Sequence, residues 1–229
     1  MDRTLRLYIV LSIVAGAMLA VLALMESALG NHMTTTGRAV VAAALAAGCV
    51  FGLVRSLRPD ALRFLEEKGG DLAGLSVVSG KDRIGHHPEC DGFRDHVIWI
   101  GTVPICAGCT GLALGCIFGL VTIPLYLQQT AVDYVSWDWV MIVGFVFIGA
   151  VFAETARRRR SAEAHMLANV VLVMGLVAVT FGSTEYSASV YVGLLAVVFS
   201  FLWMDTRIRI SEIRHARICA ECPRDCKAY

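Results

Sequence analysis

Apolar residues in this chain are gathered into long blocks and do not alternate with polar ones. Six blocks, Leu7 to Leu29, Met33 to Val54, Val103 to Leu127, Trp139 to Glu154, His165 to Gly182 and Ser189 to Asp205, come near the roughly 20 residues a helix needs to cross a bilayer, the second and fourth being borderline. The pattern predicts an all-α integral membrane protein with about six transmembrane helices. It divides the chain into a first transmembrane hairpin (1–54), a polar loop (55–102), four further spans (103–205) and a tail (206–229). The first block follows Arg3 and Arg6 and has Ala28 near its end, as a signal peptide would. Its apolar stretch exceeds the roughly 7 to 15 residues of such a segment, so it reads as a retained span.

Between the blocks, the connections Gly30 to Gly37, Gln128 to Asp138 and Ser183 to Ala188 are too short to fold independently, which leaves the loop Arg55 to Thr102 and the tail as the only polar segments of any size. In the loop, "PDALRFLEEKGG" places Ala61, Phe64 and Leu65 on one face before a Gly-Gly stop, and reads as a short amphipathic helix lying on the membrane surface. "LAGLSVVSG" reads equally as strand or irregular chain. "TRIRISEIRHARI" contains no breaker, so the sixth span is expected to continue as a helix past the membrane.

Composition agrees with the blocks: 57% of residues are hydrophobic and 17% charged, with mean hydropathy +0.66. The net charge of +1 conceals a strong asymmetry. With the N-terminus inside a cell membrane, every Lys and Arg except Arg38 falls on the cytoplasmic side, which also requires an even number of spans and a cytoplasmic C-terminus. Tyr134, Trp137 and Trp139 then form an aromatic belt at the outer interface. Anionic lipid headgroups account for this basic face, including Arg157 to Arg160, without invoking nucleic acid. The bilayer is thus the expected partner, with a protein partner or a second copy as further possibilities.

The chemistry is concentrated in the eight cysteines. Cys49 and Cys116 fall within spans and read as small buried apolar residues. Cys90, Cys106, Cys109, Cys219, Cys222 and Cys226 all fall on the cytoplasmic side, where a reducing compartment favours metal binding or thiol chemistry over structural disulfides. His87-x2-Cys90, then Cys106-x2-Cys109, has the two-knuckle spacing of small zinc sites, with histidine replacing one cysteine. Pro104 suits a first helical position, which would put both Cys106 and Cys109 in the first turn of the third span, where the helix N-terminus favours thiolate. His86 and His96 are spare candidates, and His96 is expected to cap, orient or face water. The tail offers a second set, His215-x3-Cys219-x2-Cys222-x3-Cys226. Zinc is the expected metal. An iron-sulfur cluster shared by loop and tail is the alternative, although the spacing is not that of the ferredoxin run.

"HHPECDGF" followed by "PICAGCTGLALG" resembles the motif region of an uncharacterised domain-of-unknown-function family of predicted prokaryotic membrane proteins. The resemblance covers about residues 84 to 120 and rests on Cys106, Cys109, Thr110, Gly111 and Gly115. That family has arginine where this chain has Gly108, so no anion-binding role carries over. The resemblance implies a genuine cytoplasmic site and assigns no activity to it.

Gly111, Gly115 and Gly119 recur every fourth residue, as close helix packing requires. Ionisable residues deep in the spans are almost absent: Glu26, Glu154, His165 and Asp205 lie near ends, which disfavours a proton relay or pump. His165 and Asn169 share a face, consistent with an interhelical hydrogen bond. No phosphate loop, nucleophile elbow or zinc-protease helix is present. The leading expectation is a non-enzymatic membrane protein whose Cys/His region is stapled by metal into a docking or assembly surface. A membrane oxidoreductase component, using a cluster or the Cys106/Cys109 dithiol, ranks second, and a transporter for a small solute or metal ranks third.

Overall fold

The computed structural model describes residues 3–30, 32–57, 83–84, 87–88, 91–128, 136–155 and 161–221. Among the described residues there are six α-helices: α1 Arg3–Ser27, α2 Thr35–Leu57, α3 Ala107–Gln128, α4 Trp137–Thr155, α5 Ala162–Ser187 and α6 Val190–Glu221. All six are long and apolar enough to cross a membrane. Large apolar side chains such as Ile13, Val121, Val146 and Val198 stand exposed around the bundle, more than a soluble surface carries. The helices run alternately up and down, so the start of α1, the start of α3 and the end of α6 share one end, the Cys106 end. Arg38 marks the other.

The spans extend beyond the apolar blocks for physical reasons. Ser183 to Ala188, expected as an outer loop, is almost wholly absorbed into α5. Buried hydroxyls there return to the preceding turn: Thr184 donates to the Thr180 carbonyl at 2.6 Å and Ser187 to the Ser183 carbonyl at 2.6 Å. Polar side chains satisfied in this way do not interrupt a helix. The connection reduces to Ala188 and Ser189, with Ala188 in the left-handed region at φ 48°. At its other end α6 continues past Asp205 to Glu221 in one unbroken helix, as the absence of a breaker predicts.

Helix α5 is the centre of the bundle and packs against α1, α3, α4 and α6. Glycines set the spacing. A Cβ at Gly111 would collide with the Met166 carbonyl, one at Gly115 would stand 2.8 Å from Val173 Cβ, and one at Gly119 would stand 2.9 Å from Cys49 Sγ. The four-residue glycine repeat therefore lets α3 approach α5 and α2 closely, as van der Waals packing of spans favours. Cys49 and Cys116 are buried in the α2–α3 interface, the small apolar role expected of them.

At the opposite end, Arg38 donates from Nε and Nη2 to the two Glu185 oxygens at 2.8 and 2.6 Å, and the Tyr126 hydroxyl donates to Glu185 Oε1 at 2.6 Å. The Glu185 side chain is only 4% exposed. Arg38 is thus one arm of a bidentate ion pair joining α2 and α5, to which Tyr126 ties α3. Tyr126 also stacks on Phe181 at 3.9 Å and meets the edge of Trp137 at 6.2 Å. Trp139 is 63% exposed, as an interfacial belt residue would be.

At the Cys106 end, the described part of the polar loop forms two short ribbons and a helical turn. Strand β1 (Arg83–Ile84) pairs with β2 (His87–Pro88), a 3₁₀ helix covers Asp91–His96, and β3 (Val97–Ile100) pairs with β4 (Val103–Cys106). This corrects the expectation for Pro104 and Cys106: Pro104 is a strand residue opposite Trp99, Cys106 closes the strand opposite Val97, and α3 begins only at Ala107. The β-branched and aromatic residues on both sides of Gly101-Thr102 favour a hairpin, and Gly101 supplies the φ of +63° its turn needs. Proline is accepted because the pair flanking a two-residue turn exchanges the hydrogen bonds and the next pair out does not. Cys109 does occupy the first turn of α3. The amphipathic segment Pro59 to Gly70, the stretch Leu72 to Gly80, Tyr134 and Arg157 to Arg160 lie outside the described residues.

Candidate functional site

The Cys106 end gathers side chains from four elements that are far apart in sequence. Cys106 is buried at the strand-to-helix junction, where its carbonyl accepts the Thr110 hydroxyl at 2.9 Å. Cys109 follows in the first helical turn, half-buried. Between them Gly108 abuts α5: its carbonyl accepts Asn169 Nδ2 at 3.1 Å, the interhelical bond expected of Asn169. A Cβ on residue 108 would stand 3.0 Å from His165 Nε2. Any side chain at this position would therefore press on His165.

His165 is buried, and its Nδ1 lies 3.4 Å from Nη2 of Arg207, itself only 3% exposed. A guanidinium only donates, so Nδ1 is the acceptor and the ring proton belongs on Nε2. His165 thus meets Arg207 at one ring nitrogen and faces Gly108 with the other.

The loop closes over this pair. The His96 ring lies 5.3 Å from those of both His165 and His215, while Phe93, buried, lies 5.6 Å from His96 and 5.3 Å from His215. His215, on α6, is 2% exposed, and its Nε2 is 3.2 Å from Ser211 Oγ. Cys219 stands one turn further along the same face of α6, half-buried. The Asp91–His96 segment and the extension of α6 are therefore packed together, and three of the chain's six histidines share one cluster.

Of the residues singled out by spacing, Cys106, Cys109, His215 and Cys219 all lie at this end. The backbone of His87 opposes Ile84 in a ribbon that runs beside β4. His86, Cys90, Cys222 and Cys226 lie outside the described residues. Among the described residues, no three of His, Cys, Asp and Glu form a group that could hold a metal ion. His96, expected to cap, orient or face water, sits half-buried inside the ring cluster. Arg207 and His165 were not read as site residues at all. Alternating spans place His165 and Arg207 at one end, but helix rotation, which brings the Arg207 guanidinium to the His165 ring, leaves no mark in hydropathy.

No protein-family model, curated protein or solved structure matches this chain. The fold itself defines the class: a bundle of six helices, each apolar and long enough to span a membrane.

Proposed function

We propose that the protein is a six-span cell-membrane protein with both termini in the cytoplasm, and that a Cys/His zinc site staples its loop and tail into a cytoplasmic docking or assembly surface. The observation that carries this reading is the packing of Phe93 and His96 from the loop against His215 of α6, directly beside the start of α3 where Cys106 and Cys109 stand. A surface assembled from such separate segments pays a large ordering entropy, which a shared metal offsets.

The donor chemistry suits zinc: two thiols at a helix start, where the dipole favours thiolate. Cys106 and Cys109 would supply two ligands, and His87 and Cys90, which precede the hairpin in the chain, would complete a four-coordinate shell. His86 would orient or substitute in it. His215, Cys219, Cys222 and Cys226 would hold a second ion or join the first. Bound there, zinc would act structurally, fixing the loop against the bundle. The basic residues other than Arg38 would face the anionic inner leaflet. The resemblance around residues 84 to 120 agrees with this reading.

A second reading, a membrane oxidoreductase component, is favoured by Cys106-x2-Cys109 at a helix start, a geometry that also suits a reactive dithiol or an iron-sulfur cluster. Elemental analysis of anaerobically purified protein, combined with its visible absorption, separates the two. Zinc in at least equimolar amount with no visible band supports the structural site. An iron-sulfur band, or metal-free protein with a titratable dithiol, moves the second reading ahead.

A further inference from the structure

A groove of about 630 Å³ runs between α1 and α4 with α6 as its floor, and is lined almost wholly by apolar side chains. It extends from Gly16, Phe145 and Trp203 to Leu5, Thr155 and Arg214 at the Cys106 end. Leu5 to Gly16 spans about 16 Å at ~1.5 Å per residue, close to half of a hydrocarbon core of ~30 Å. The groove is therefore one leaflet deep. Its volume falls in the range of small-molecule sites.

The few polar groups in its walls are already engaged. Ser12 and Thr206 hydroxyls bond each other at 2.8 Å, Thr206 also donates to the Leu202 carbonyl, and the Thr155 hydroxyl donates to the Val151 carbonyl at 2.6 Å. What remains facing the groove is hydrocarbon, except at one end. There Arg214 lines the mouth, half-buried, with Arg6 close to the lining residue Leu5 on the neighbouring helix. The Glu154 carboxylate acts on Arg214 from the end of α4, but a guanidinium has five donors and can serve a second anion.

We propose that this groove binds one anionic glycerophospholipid of the leaflet at the Cys106 end, with an acyl chain along Ile9, Ile13 and Phe152 and the phosphate at Arg214. The inference rests on the bundle being embedded in a membrane. Two matches select this occupant: apolar depth equals one leaflet, and the positive charge stands where a headgroup would lie. A bare acyl chain explains the first match only.

The test is native mass spectrometry of the full chain in detergent, titrated with phosphatidylglycerol or with phosphatidylcholine of the same chains. The wild type should retain one phosphatidylglycerol with roughly fivefold preference, the discrimination of one basic side chain near an anionic surface. Gly149 lines the groove and a Cβ there meets nothing within 4 Å, so the side chain of Gly149→Trp starts in open space, should occupy the groove and should abolish retention of both lipids. Arg214→Gln should keep the lipid and lose the preference. Equal retention of the two lipids by the wild type, undiminished binding by Gly149→Trp, or a co-purified apolar molecule or second copy occupying the groove would overturn the proposal. Fractionation of the chain with membranes reports the embedding separately.

Discussion

Phe93 shows how one side chain attaches a polar loop to an apolar bundle. It is buried against His96 and His215 although its neighbours Gly92 and Arg94 are exposed. Truncating a fully buried phenylalanine costs about 3–5 kcal/mol, and here the loss falls on the contact between loop and α6. Phe93→Ala should leave the helices inserted and make the segment before Val97 sensitive to protease, which limited proteolysis in detergent reads directly. Glu185 makes a contrasting case. Removing one partner of a buried pair strands the other and costs about 3–5 kcal/mol, whereas replacing both with apolar residues is far less harmful. Glu185→Gln should therefore lower the thermal midpoint more than the double change Arg38→Met with Glu185→Leu. A double variant no more stable than the single one would show that the cost lies in losing the pair itself and not in stranding Arg38. Neither Phe93 nor the Arg38–Glu185 pair was legible in the sequence: one phenylalanine in a polar loop is unremarkable, and a pair 147 residues apart depends on helix rotation.

Among the elements, α3 and α5 were the most legible. The four-residue glycine repeat announces close approach, and Gly111 meets main chain where a side chain cannot yield. Gly111→Ala should destabilise the bundle measurably, while Gly149→Ala, which meets open space, should be close to neutral. Equal thermal shifts for the two would contradict this packing. The hairpin before α3 was misread because Pro104 fits a helix start as well as a non-bonded strand position, and a two-residue turn of Gly101-Thr102 gives little warning. Cys109 was placed correctly, and Cys106 was displaced by one element. The end of α5 was misread for the opposite reason: serine and threonine signal a turn in a sequence, yet buried hydroxyls bonded to their own helix prolong it.

Across the described residues, hydropathy was sufficient for the number and order of the six long apolar helices, because each is marked by a block of apolar residues and not by detailed contacts. It also placed Cys106, Cys109, His215 and Cys219 at one end, but not their relative geometry, since spacing constrains ligands only along the chain. The proposed topology puts that end in the cytoplasm. An impermeant thiol reagent applied to intact cells should therefore fail to label Cys90 and Cys219, and should label both once the cells are permeabilised and the metal is chelated. Labelling before permeabilisation would reverse the orientation and with it the argument from a reducing compartment. The central claim, that Cys106 and Cys109 hold a structural metal, is tested most directly by metal stoichiometry in the Cys106→Ser/Cys109→Ser protein, measured alongside protease sensitivity of the loop. Two lost thiolates leave too few ligands for tight zinc binding, so bound metal should fall and the loop should open while the six helices still insert. A double variant that keeps its full metal and a protected loop would contradict the account.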